Sequence, residues 1–461
     1  MKRTLGSAAQ WVGGELKGED RPYGCVSTDS RTLKPGALFV ALRGPNFDGA
    51  NFVQAASAQG AIGALVERAI PCALPQVVVP DALRALQELA RGWRAAFTLP
   101  VVAVAGSNGK TTTKTMTAAI LSRMGLCMAT HGNLNNHIGV PVTLMRLELA
   151  HRSAVIEMGA NRIGDVAELM RIANPTVGLI TNAGAEHLEG FGNLDGVAKG
   201  EGEAVSCLDK EGTAIINADD AYERYWRGVA GTPRIVTFGV QARADYTAKN
   251  IVQAIERGEF ATRFTLQCPL GTRSVLLKAG GAHNIGNALA AAAAAGAAGA
   301  SLDDIVLGLS DFRAVSGRLQ LKAGLRDSWI IDDSYNANPS SVRAGLEVLR
   351  SLTGVTWLVL GDMAELGESS EDSHAHIGKY ARACGIKRLF GLGPLSSRAV
   401  ETYGSGGEWF ADADSMIRRL QSELSPGVTV LIKGSRINRL ERVVHALAGG
   451  GAGSGPMMRA S

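Results

Sequence analysis

The stretch VVAVAGSNGKTTTK, residues 101–114, joins an apolar strand to glycines, a lysine and three threonines. A glycine loop that runs into a helix N-terminus directs backbone N–H groups at an anion, so this pattern is typical of a phosphate-binding loop. Lys110 would then reach the outer phosphates of a nucleotide, and the Thr111 hydroxyl would bind Mg²⁺. The predicted loop residues are Gly106, Ser107, Asn108, Gly109, Lys110, Thr111 and Thr112.

A strand–loop–helix junction with an ordinary helix cap is the alternative, because serine, threonine and asparagine are also good N-caps. A cap does not require lysine directly after glycine, which favours phosphate binding. The spacing Gly-x-x-Gly-Lys-Thr is also two residues shorter than the common GxxxxGK[ST] loop, and the short form is the more selective of the two.

The loop needs a sheet and helices to hold it, and the alternation of strand-like and helix-like segments predicts an α/β fold with mostly parallel sheets. Breaks in the pattern divide the chain into three domains and a glycine- and serine-rich tail that we expect to be flexible. The predicted boundaries are 1–82, with strands such as ALFVAL; 83–314, with the glycine loop; 315–446, from SGRLQ to VTVLIKGSR; and 447–461 for the tail.

Composition excludes several classes of protein. Of 461 residues 46% are hydrophobic, and the formal charge of +4 is scattered, so nothing indicates a nucleic-acid partner. The longest apolar run, residues 288–300, is too short and alanine-rich for a bilayer of about 30 Å, and the N-terminus lacks the apolar core of a signal peptide. Six dispersed cysteines without CxxC or CxxH spacing predict reduced thiols in the cytoplasm and no structural zinc.

Further motifs follow the loop in order: HGNLNNHIGVPVTL (131–144), AVIEMGANRIGDVAELMRIANPTVGLITNAGAEHLEGFG (154–192), GAHNIGNALAAAAA (281–294), SGRLQ (316–320), IIDDSYNANPSS (330–341), LVLGDMAELGESS (358–370) and LIKGSR (431–436). With STDSRTLKPGALFVALRGPNFDGANF (27–52), they resemble the Mur ligases over nearly the whole chain. The motifs DDSYNANP and GDMAELG resemble those of the family member that adds D-alanyl-D-alanine to UDP-N-acetylmuramoyl-tripeptide, rather than those of the members that add a single amino acid. The resemblance leaves open whether residue three of that peptide is meso-diaminopimelate or lysine.

The resemblance implies transfer of the ATP γ-phosphoryl group to a carboxylate, which makes an acyl phosphate that an amine can attack. Two anions must meet in this step, so positive charge from Mg²⁺ and Lys110 is needed. Glu157 and His187 follow predicted strands at the edge where α/β sheets bind ligands. By resemblance they are magnesium ligands with Thr111, although a glutamate can also cap a helix and a loop histidine is more often a surface residue.

Glu201 departs from the family pattern. Mur ligases usually carry a carbamylated lysine at the fourteenth residue after this histidine, and here that residue is Glu201. Our hypothesis is that Glu201 supplies permanently the negative charge that CO₂ otherwise provides, with a water bridging its shorter reach to metal. The alternatives are that Lys199 takes the role after a local shift, or that Glu201 is only a solvated helix residue.

The resemblance also assigns nucleotide contacts outside the loop. Asn284 and Asn287 match positions near the adenine and share one helix face, although Asn284 could equally be an N-cap. Arg318 matches a phosphate contact and Asp333 a ribose contact. Because these two residues lie in the third domain, ATP must lie between two domains, and closure should exclude water from the acyl phosphate.

For the peptide substrates the resemblance places UDP-sugar-peptide binding in the first domain and D-alanyl-D-alanine binding in a Rossmann-like third domain. Ser30 and Arg31 resemble the uridine-nucleotide site, although Ala50 stands where relatives often have histidine. The remaining predicted substrate contacts are Asn133, Asn336 and Asn338, and Asn-Pro at 338–339 could simply mark a turn. Lys433 and Arg436 could meet an anion or only end a basic strand.

Two other functions share part of this pattern. A folylpolyglutamate synthetase shares the core and the acyl phosphate chemistry, but it lacks a first domain such as TDSRTLKPGALFVAL indicates. A catalytically silent nucleotide-binding module is disfavoured by the presence together of Lys110, Thr111, Glu157 and His187. Nothing in the sequence demands more than a monomer, and no residue stands out as general base.

Overall fold

The structure is a computed structural model that describes residues 3–232 and 234–449. It contains a five-stranded sheet, two six-stranded sheets, a three-stranded sheet and a two-stranded ribbon. We call the parts built around the first sheet and the two six-stranded sheets the first, central and third units. The predicted α/β class with three domains is confirmed, while the predicted boundaries at 82, 314 and 446 stay predictions.

The first unit has a sheet with the strand order β1-β7-β6-β3-β2, in which only the pair β1 and β7 is antiparallel. Its strands are β1 (Glu15–Lys17), β2 (Cys25–Ser27), β3 (Ala37–Val40), β6 (Gly63–Val66) and β7 (Gln76–Val78), and β4 (Arg43–Gly44) and β5 (Phe47–Asp48) form the ribbon. The helices are α1 (Leu5–Val12), α2 (Val53–Ala58) and α3 (Ala82–Arg94), with a 3₁₀ turn at Gly49–Phe52.

The central unit has an all-parallel sheet ordered β13-β12-β11-β8-β10-β9. Its strands are β8 (Val101–Ala105), β9 (Cys127–Ala129), β10 (Ser153–Glu157), β11 (Val177–Ile180), β12 (Thr213–Asn217) and β13 (Ile235–Phe238). The helices are α4 (Lys110–Leu121), α5 (Gly139–Leu144), α6 (Asp165–Ala173), α7 (Leu188–Phe191), α8 (Leu194–Ser206), α9 (Glu223–Val229), α10 (Ala282–Ala297) and α11 (Leu302–Asp311). An antiparallel sheet of β14 (Thr247–Glu256), β15 (Glu259–Cys268) and β16 (Gly271–Leu277) precedes α10.

The third unit has the strand order β17-β18-β22-β19-β20-β21, parallel except for the edge pair β17 and β18. Its strands are β17 (Gln320–Ala323), β18 (Trp329–Asp333), β19 (Val355–Gly361), β20 (Arg388–Leu392), β21 (Gly407–Phe410) and β22 (Val428–Lys433). The helices are α12 (Pro339–Arg350), α13 (Ser370–Ala383), α14 (Ser396–Tyr403), α15 (Ala413–Glu423) and α16 (Glu441–Leu447), with 3₁₀ turns at Leu325–Asp327, Gly367–Ser369 and Arg436–Asn438.

Burial explains why the central strands are continuous apolar runs. Every residue of β8 is buried, as expected for a parallel strand with helices on both faces. The alanines of α10 pack into the same core because their small side chains allow a close approach to the sheet. One hydrophobic cluster runs from the first unit into the central sheet, so these two units share a core.

The last helix of the third unit includes the first residue of the predicted tail. This residue, Leu447, is buried at the end of α16. Residues 450–461 of that tail lie outside the described residues. In the part of the chain that is described, no helix has the length and hydropathy needed to cross a membrane.

Candidate active site

The glycine loop joins β8 to α4 as predicted, and two of its residues must be glycine. Gly106 has φ +118° and Gly109 has φ +84°, values that side chains rarely adopt. A Cβ on Gly106 would lie 2.1 Å from the Thr181 hydroxyl, and one on Gly109 would lie 2.3 Å from the Asn287 amide oxygen. The loop backbone therefore fits this space only without side chains at these two positions.

The loop lies at a topological switch point, since β8 pairs with β10 on one side and β11 on the other. Ligands of open α/β sheets bind at such points, beyond the carboxyl ends of the strands. Here a cleft of about 770 Å³ separates the central and third units. The predicted site residues that line it are Ser107, Asn108, Gly109, Lys110, Thr111, Thr112, Asn133, Glu157, His187, Asn284, Asn287, Arg318, Asp333, Asn336 and Asn338.

Lys110 is held by the loop itself and by a carboxylate. Its ammonium donates to the carbonyl of Gly106 and to that of Ser107 at 3.2 Å, and it lies 3.3 Å from Glu186 Oε1. Burial acts to lower the pKa of Lys110, but the carboxylates of Glu186, Glu201 and Glu157 together outweigh burial and hold this pKa above its ordinary value. The lysine is therefore a fixed positive charge at the loop.

Glu157, the last residue of β10, lies beside the first turn of α4. Its Oε1 accepts hydrogen bonds from the Thr111 hydroxyl at 3.2 Å and from Asn135 Nδ2 at 2.9 Å. Its buried Oε2 lies 3.1 Å from the Lys114 ammonium, which makes an ion pair but does not meet hydrogen-bond geometry. The carboxylate thus keeps an oxygen without a hydrogen bond.

These donors fit Mg²⁺. The metal prefers oxygen ligands and commonly takes one or two protein carboxylates and completes its shell with substrate phosphates and water. Among the described residues no group of three histidine, cysteine, aspartate or glutamate side chains is arranged as a metal site. Of the predicted ligands, Thr111 and Glu157 are in contact, whereas His187 contacts other residues.

His187 lies between two carboxylates from different units. Its Nε2 is 3.3 Å from Glu186 Oε1, and its Nδ1 is 2.7 Å from Glu365 Oε2 in the third unit. The hydrogen bond to Glu186 raises the pKa of His187, and burial opposes this only in part. For Glu186, burial alone would raise the pKa, but Lys110 and His187 bring it below its ordinary value. The structure therefore gathers two cations and two anions at this edge.

Glu201 lies beneath the loop rather than in the cleft. Its side chain on α8 is 2% exposed, and its Oε2 accepts a hydrogen bond from the Gly106 N–H at 2.6 Å. Burial raises the pKa of Glu201 to about 7, although Lys110 lowers it in part. Lys199, the alternative residue on the same helix, is exposed.

The predicted adenine residues form a buried polar chain on α10. Asn284 Nδ2 donates to the Gly280 carbonyl at 2.8 Å, and Asn287 Nδ2 donates to Asn284 Oδ1 at 3.0 Å. The Thr113 hydroxyl of α4 in turn donates to Asn287 Oδ1 at 3.3 Å. Because Asn284 is inside the helix and not its N-cap, the capping alternative is wrong; Gly281 holds the cap position.

In the third unit, Asp333 at the end of β18 pairs with Lys433 at the end of the neighbouring β22. The Lys433 ammonium lies 2.5 Å from Asp333 Oδ2 and 3.1 Å from the Asn336 carbonyl. Burial lowers the pKa of Lys433, and Asp333 opposes the change. Arg318 packs its guanidinium over the Tyr335 ring, 4.3 Å from the centroid.

Side-chain hydrogen bonds join the central and third units directly beside the cleft. Asn338, the N-cap of α12, donates from Nδ2 to Asn108 Oδ1 at 2.9 Å and to Glu186 Oε2 at 3.3 Å. The Asn108 side chain donates to the Ser340 hydroxyl at 3.0 Å. The phosphate loop therefore touches the third unit.

Besides Glu201, two further predicted residues lie away from this cleft. Ser30 and Arg31 belong to the first unit, where Arg31 is exposed and binds Asp29 through Nε at 2.9 Å and Nη2 at 2.7 Å. Their predicted role at the uridine nucleotide stays a prediction.

Comparison with known proteins decides the family. Three family models match: the Mur ligase family catalytic domain at residues 22–94, the Mur ligase middle domain at 104–295, and the Mur ligase glutamate ligase domain at 317–436. This chain belongs to the Mur ligase family.

Individual Mur ligases match over nearly their whole length. The UDP-N-acetylmuramoyl-tripeptide–D-alanyl-D-alanine ligase of Escherichia coli is 45% identical over 447 residues, which are 96% of this chain and 98% of that protein. A crystal structure of MurF from Acinetobacter baumannii superposes with a TM-score of 0.90 at 34% identity, covering 96% of this chain and 98% of the other. MurF from Thermotoga maritima in complex with ADP gives 0.82 at 26% identity, with 92% and 96% covered.

Several residues of this Mur ligase site were not predicted from the sequence. Glu186 and Lys114 bind residues that were predicted, and each has a sequence signal, since Glu186 precedes His187 and Lys114 lies one helical turn after Lys110. Glu365 and Asn135 lie within the quoted motifs GDMAELG and HGNLNNHIGVPVTL, but nothing in those motifs indicated which residues they would contact. His283 also lines the cleft, and burial lowers its pKa to about 4, so its ring is neutral near pH 7.

Proposed function

We propose that this Mur ligase joins D-alanyl-D-alanine to UDP-N-acetylmuramoyl-tripeptide and converts ATP to ADP and phosphate in the same reaction, in the synthesis of peptidoglycan precursors. The observation that carries the proposal is 45% identity, over 96% of the chain, to a protein named for this reaction. The cleft adds chemical support, because it combines a phosphate loop with lysines and carboxylates between two units. We place the reaction in the cytoplasm.

The chemistry has two steps. A carboxylate oxygen of the tripeptide attacks the γ-phosphorus of ATP, the bond to ADP breaks, and an acyl phosphate forms. The amine of D-alanyl-D-alanine then attacks the acyl carbon, phosphate leaves, and the nitrogen loses a proton. No side chain is assigned as the base for that proton.

The residues of the central unit would bind the phosphates. Lys110 supplies the positive charge beside the γ-phosphoryl group, and the loop N–H groups with the N-terminus of α4 bind its oxygens. Mg²⁺, when bound, would neutralise charge where the two anions meet. Thr111 and Glu157 would hold it, because their oxygens already face each other at 3.2 Å.

The third unit would complete the nucleotide site. Asp333 would bind the ribose with its carboxylate oriented by Lys433, and Arg318 would bind phosphate. Asn284 and Asn287 would lie near the adenine. Asn336 and Asn338 would meet the dipeptide, and the contact between Asn338 and Asn108 supports a closed arrangement that excludes water from the acyl phosphate.

We also propose that Glu201 takes the place of the carbamylated lysine of relatives. Its support is its position in the sequence and its burial against the loop, with Lys110 as the largest attractive charge acting on it. Since its carboxylate contacts the Gly106 N–H rather than the cleft, its charge would act through Lys110 and the loop backbone. Lys199 is not placed for this role because its side chain is exposed on α8.

Phosphate release tests the function directly. The protein is assayed with magnesium-ATP, UDP-N-acetylmuramoyl-tripeptide and D-alanyl-D-alanine, and with each omitted in turn. We expect release only with all three, and a pentapeptide product by mass spectrometry. Release without the dipeptide would indicate another acceptor, while ATP binding without any turnover would support the catalytically silent alternative.

A further inference from the structure

The loop between β19 and α13 faces His187 across the cleft. Glu365 in this loop approaches the His187 ring, with 2.7 Å between Glu365 Oε2 and His187 Nδ1. Both residues have left-handed backbones, with φ +64° for Glu365 and +50° for His187. Residues with side chains rarely adopt this conformation, and it persists where the surrounding structure over-determines it.

Hydrogen bonds hold this loop against the rest of the third unit. Three consecutive backbone N–H groups each donate to a side chain outside the loop: Asp362 to Asn438 Oδ1 at 3.1 Å, Met363 to His374 Nε2 at 2.9 Å, and Ala364 to Ser435 Oγ at 2.9 Å. His374 is fully buried and donates from Nδ1 to the Ser370 carbonyl, which leaves Nε2 as the acceptor. The backbone that precedes Glu365 is therefore fixed against the third unit.

On its other side, the His187 ring is linked through Glu186 to Lys110 of the phosphate loop. The other ring nitrogen of His187 lies 3.3 Å from Glu186, and the same carboxylate oxygen lies 3.3 Å from Lys110. Next to Glu365, a Cβ on Gly367 would be 3.5 Å from the Glu189 side chain, so the loop also packs on the turn that carries His187. A chain of polar contacts thus runs from the third unit to Lys110.

We propose that Glu365 is a positioning residue of the third unit that reaches across the cleft and fixes the orientation of the His187 ring in the ligase site. A carboxylate that accepts a hydrogen bond from one ring nitrogen of a histidine fixes the orientation of the ring. With Nδ1 directed at Glu365, Nε2 points towards Glu186 and the loop. This proposal rests on the proposed ligase function.

The test compares Glu365→Ala, Glu365→Gln and the control Glu368→Ala. Glu368 is an exposed glutamate of the same loop, three residues away. In the phosphate-release assay we expect kcat of Glu365→Ala to fall about 10-fold with KM for ATP nearly unchanged, because removing the carboxylate partner of a metal-ligating histidine, the role predicted for His187, typically costs 10- to 100-fold. Glu365→Gln keeps an acceptor oxygen and should recover most of this loss.

A second measurement needs neither substrate nor metal. In protein labelled with ¹⁵N-histidine, the ring signals of His187, assigned with His187→Gln, report the hydrogen bonding of its two nitrogens. We expect these signals to change in Glu365→Ala and to stay unchanged in Glu368→Ala. Unchanged His187 signals in Glu365→Ala, or equal kcat for all variants, would overturn the proposal. A failure of the ligase function itself would instead appear in the wild type, as phosphate release that does not depend on the three substrates.

Discussion

Replacing Glu201 with glutamine should make the protein more stable at alkaline pH. The folded protein holds the pKa of this buried carboxyl at about 7, whereas the ordinary value is 4.5. Between pH 4.5 and about pH 7 the folded state binds more protons than the unfolded state. The free energy of unfolding of the wild type therefore falls as the pH rises through this range. Glutamine occupies the same volume, keeps an oxygen that can accept from the Gly106 N–H, and does not ionise.

The magnitude follows from the difference in pKa. A shift of one unit corresponds to about 1.4 kcal/mol, and integration from pH 5 to pH 8 gives a loss of about 2 to 3 kcal/mol for the wild type that Glu201→Gln avoids. A change of 1 kcal/mol moves Tm by about 2 to 4 °C in a domain of 150–250 residues. The difference in Tm between variant and wild type should therefore be about 4 to 12 °C larger at pH 8 than at pH 5.

Calorimetry at pH 5 and pH 8 measures this difference, without metal or nucleotide. The control is Glu211→Gln, because the Glu211 side chain is 87% exposed and its loss should not make Tm depend on pH. A Tm difference for Glu201→Gln that is equal at both pH values, or smaller at pH 8, would refute the reasoning. We also expect the variant to release phosphate more slowly, because an ionised group that destabilises the fold is retained where function uses its charge.

Three further outcomes are expected. Lys110→Ala should abolish phosphate release and leave binding of the UDP-substrate largely intact, as titration calorimetry would measure; loss of that binding would contradict the site assignment. Added bicarbonate should not activate the wild type, while Glu201→Lys should lower its activity, and the reverse results would argue against Glu201 as a source of negative charge that needs no CO₂. Asp333→Asn should destabilise the third unit by about 3 to 5 kcal/mol in thermal unfolding, because it leaves the buried Lys433 without its carboxylate, and adding Lys433→Met should restore part of this.

The phosphate loop was predictable because its local geometry is encoded in local sequence. Gly106 and Gly109 are needed for backbone conformations that other residues rarely adopt, and the apolar run before them predicts a buried strand. Glu157 was likewise predictable as the end of a neighbouring strand. The order of strands then brings these predicted residues to one edge of the central sheet.

The contacts that were missed join residues far apart in the chain. Glu365 meets His187 only because the third unit folds back over the central one, and no local pattern around Glu365 indicates this. Glu201 was predicted to act near metal, but α8 packs beneath the loop and turns the carboxylate towards the Gly106 N–H. Spacing along the chain gave its position in the family pattern and not the direction in which its side chain points.

The ion pair between Lys110 and Glu186 limits which anions can bind at the loop. An arriving ligand does not meet a free ammonium, since Glu186 and two carbonyl oxygens already surround it. Binding is therefore an exchange of one anion for another, and the newcomer must interact with Lys110 more strongly than the resident carboxylate does. A triphosphate can meet this condition with several charges and the N-terminus of α4 together, whereas a monoanion brings no more charge than the carboxylate it must displace.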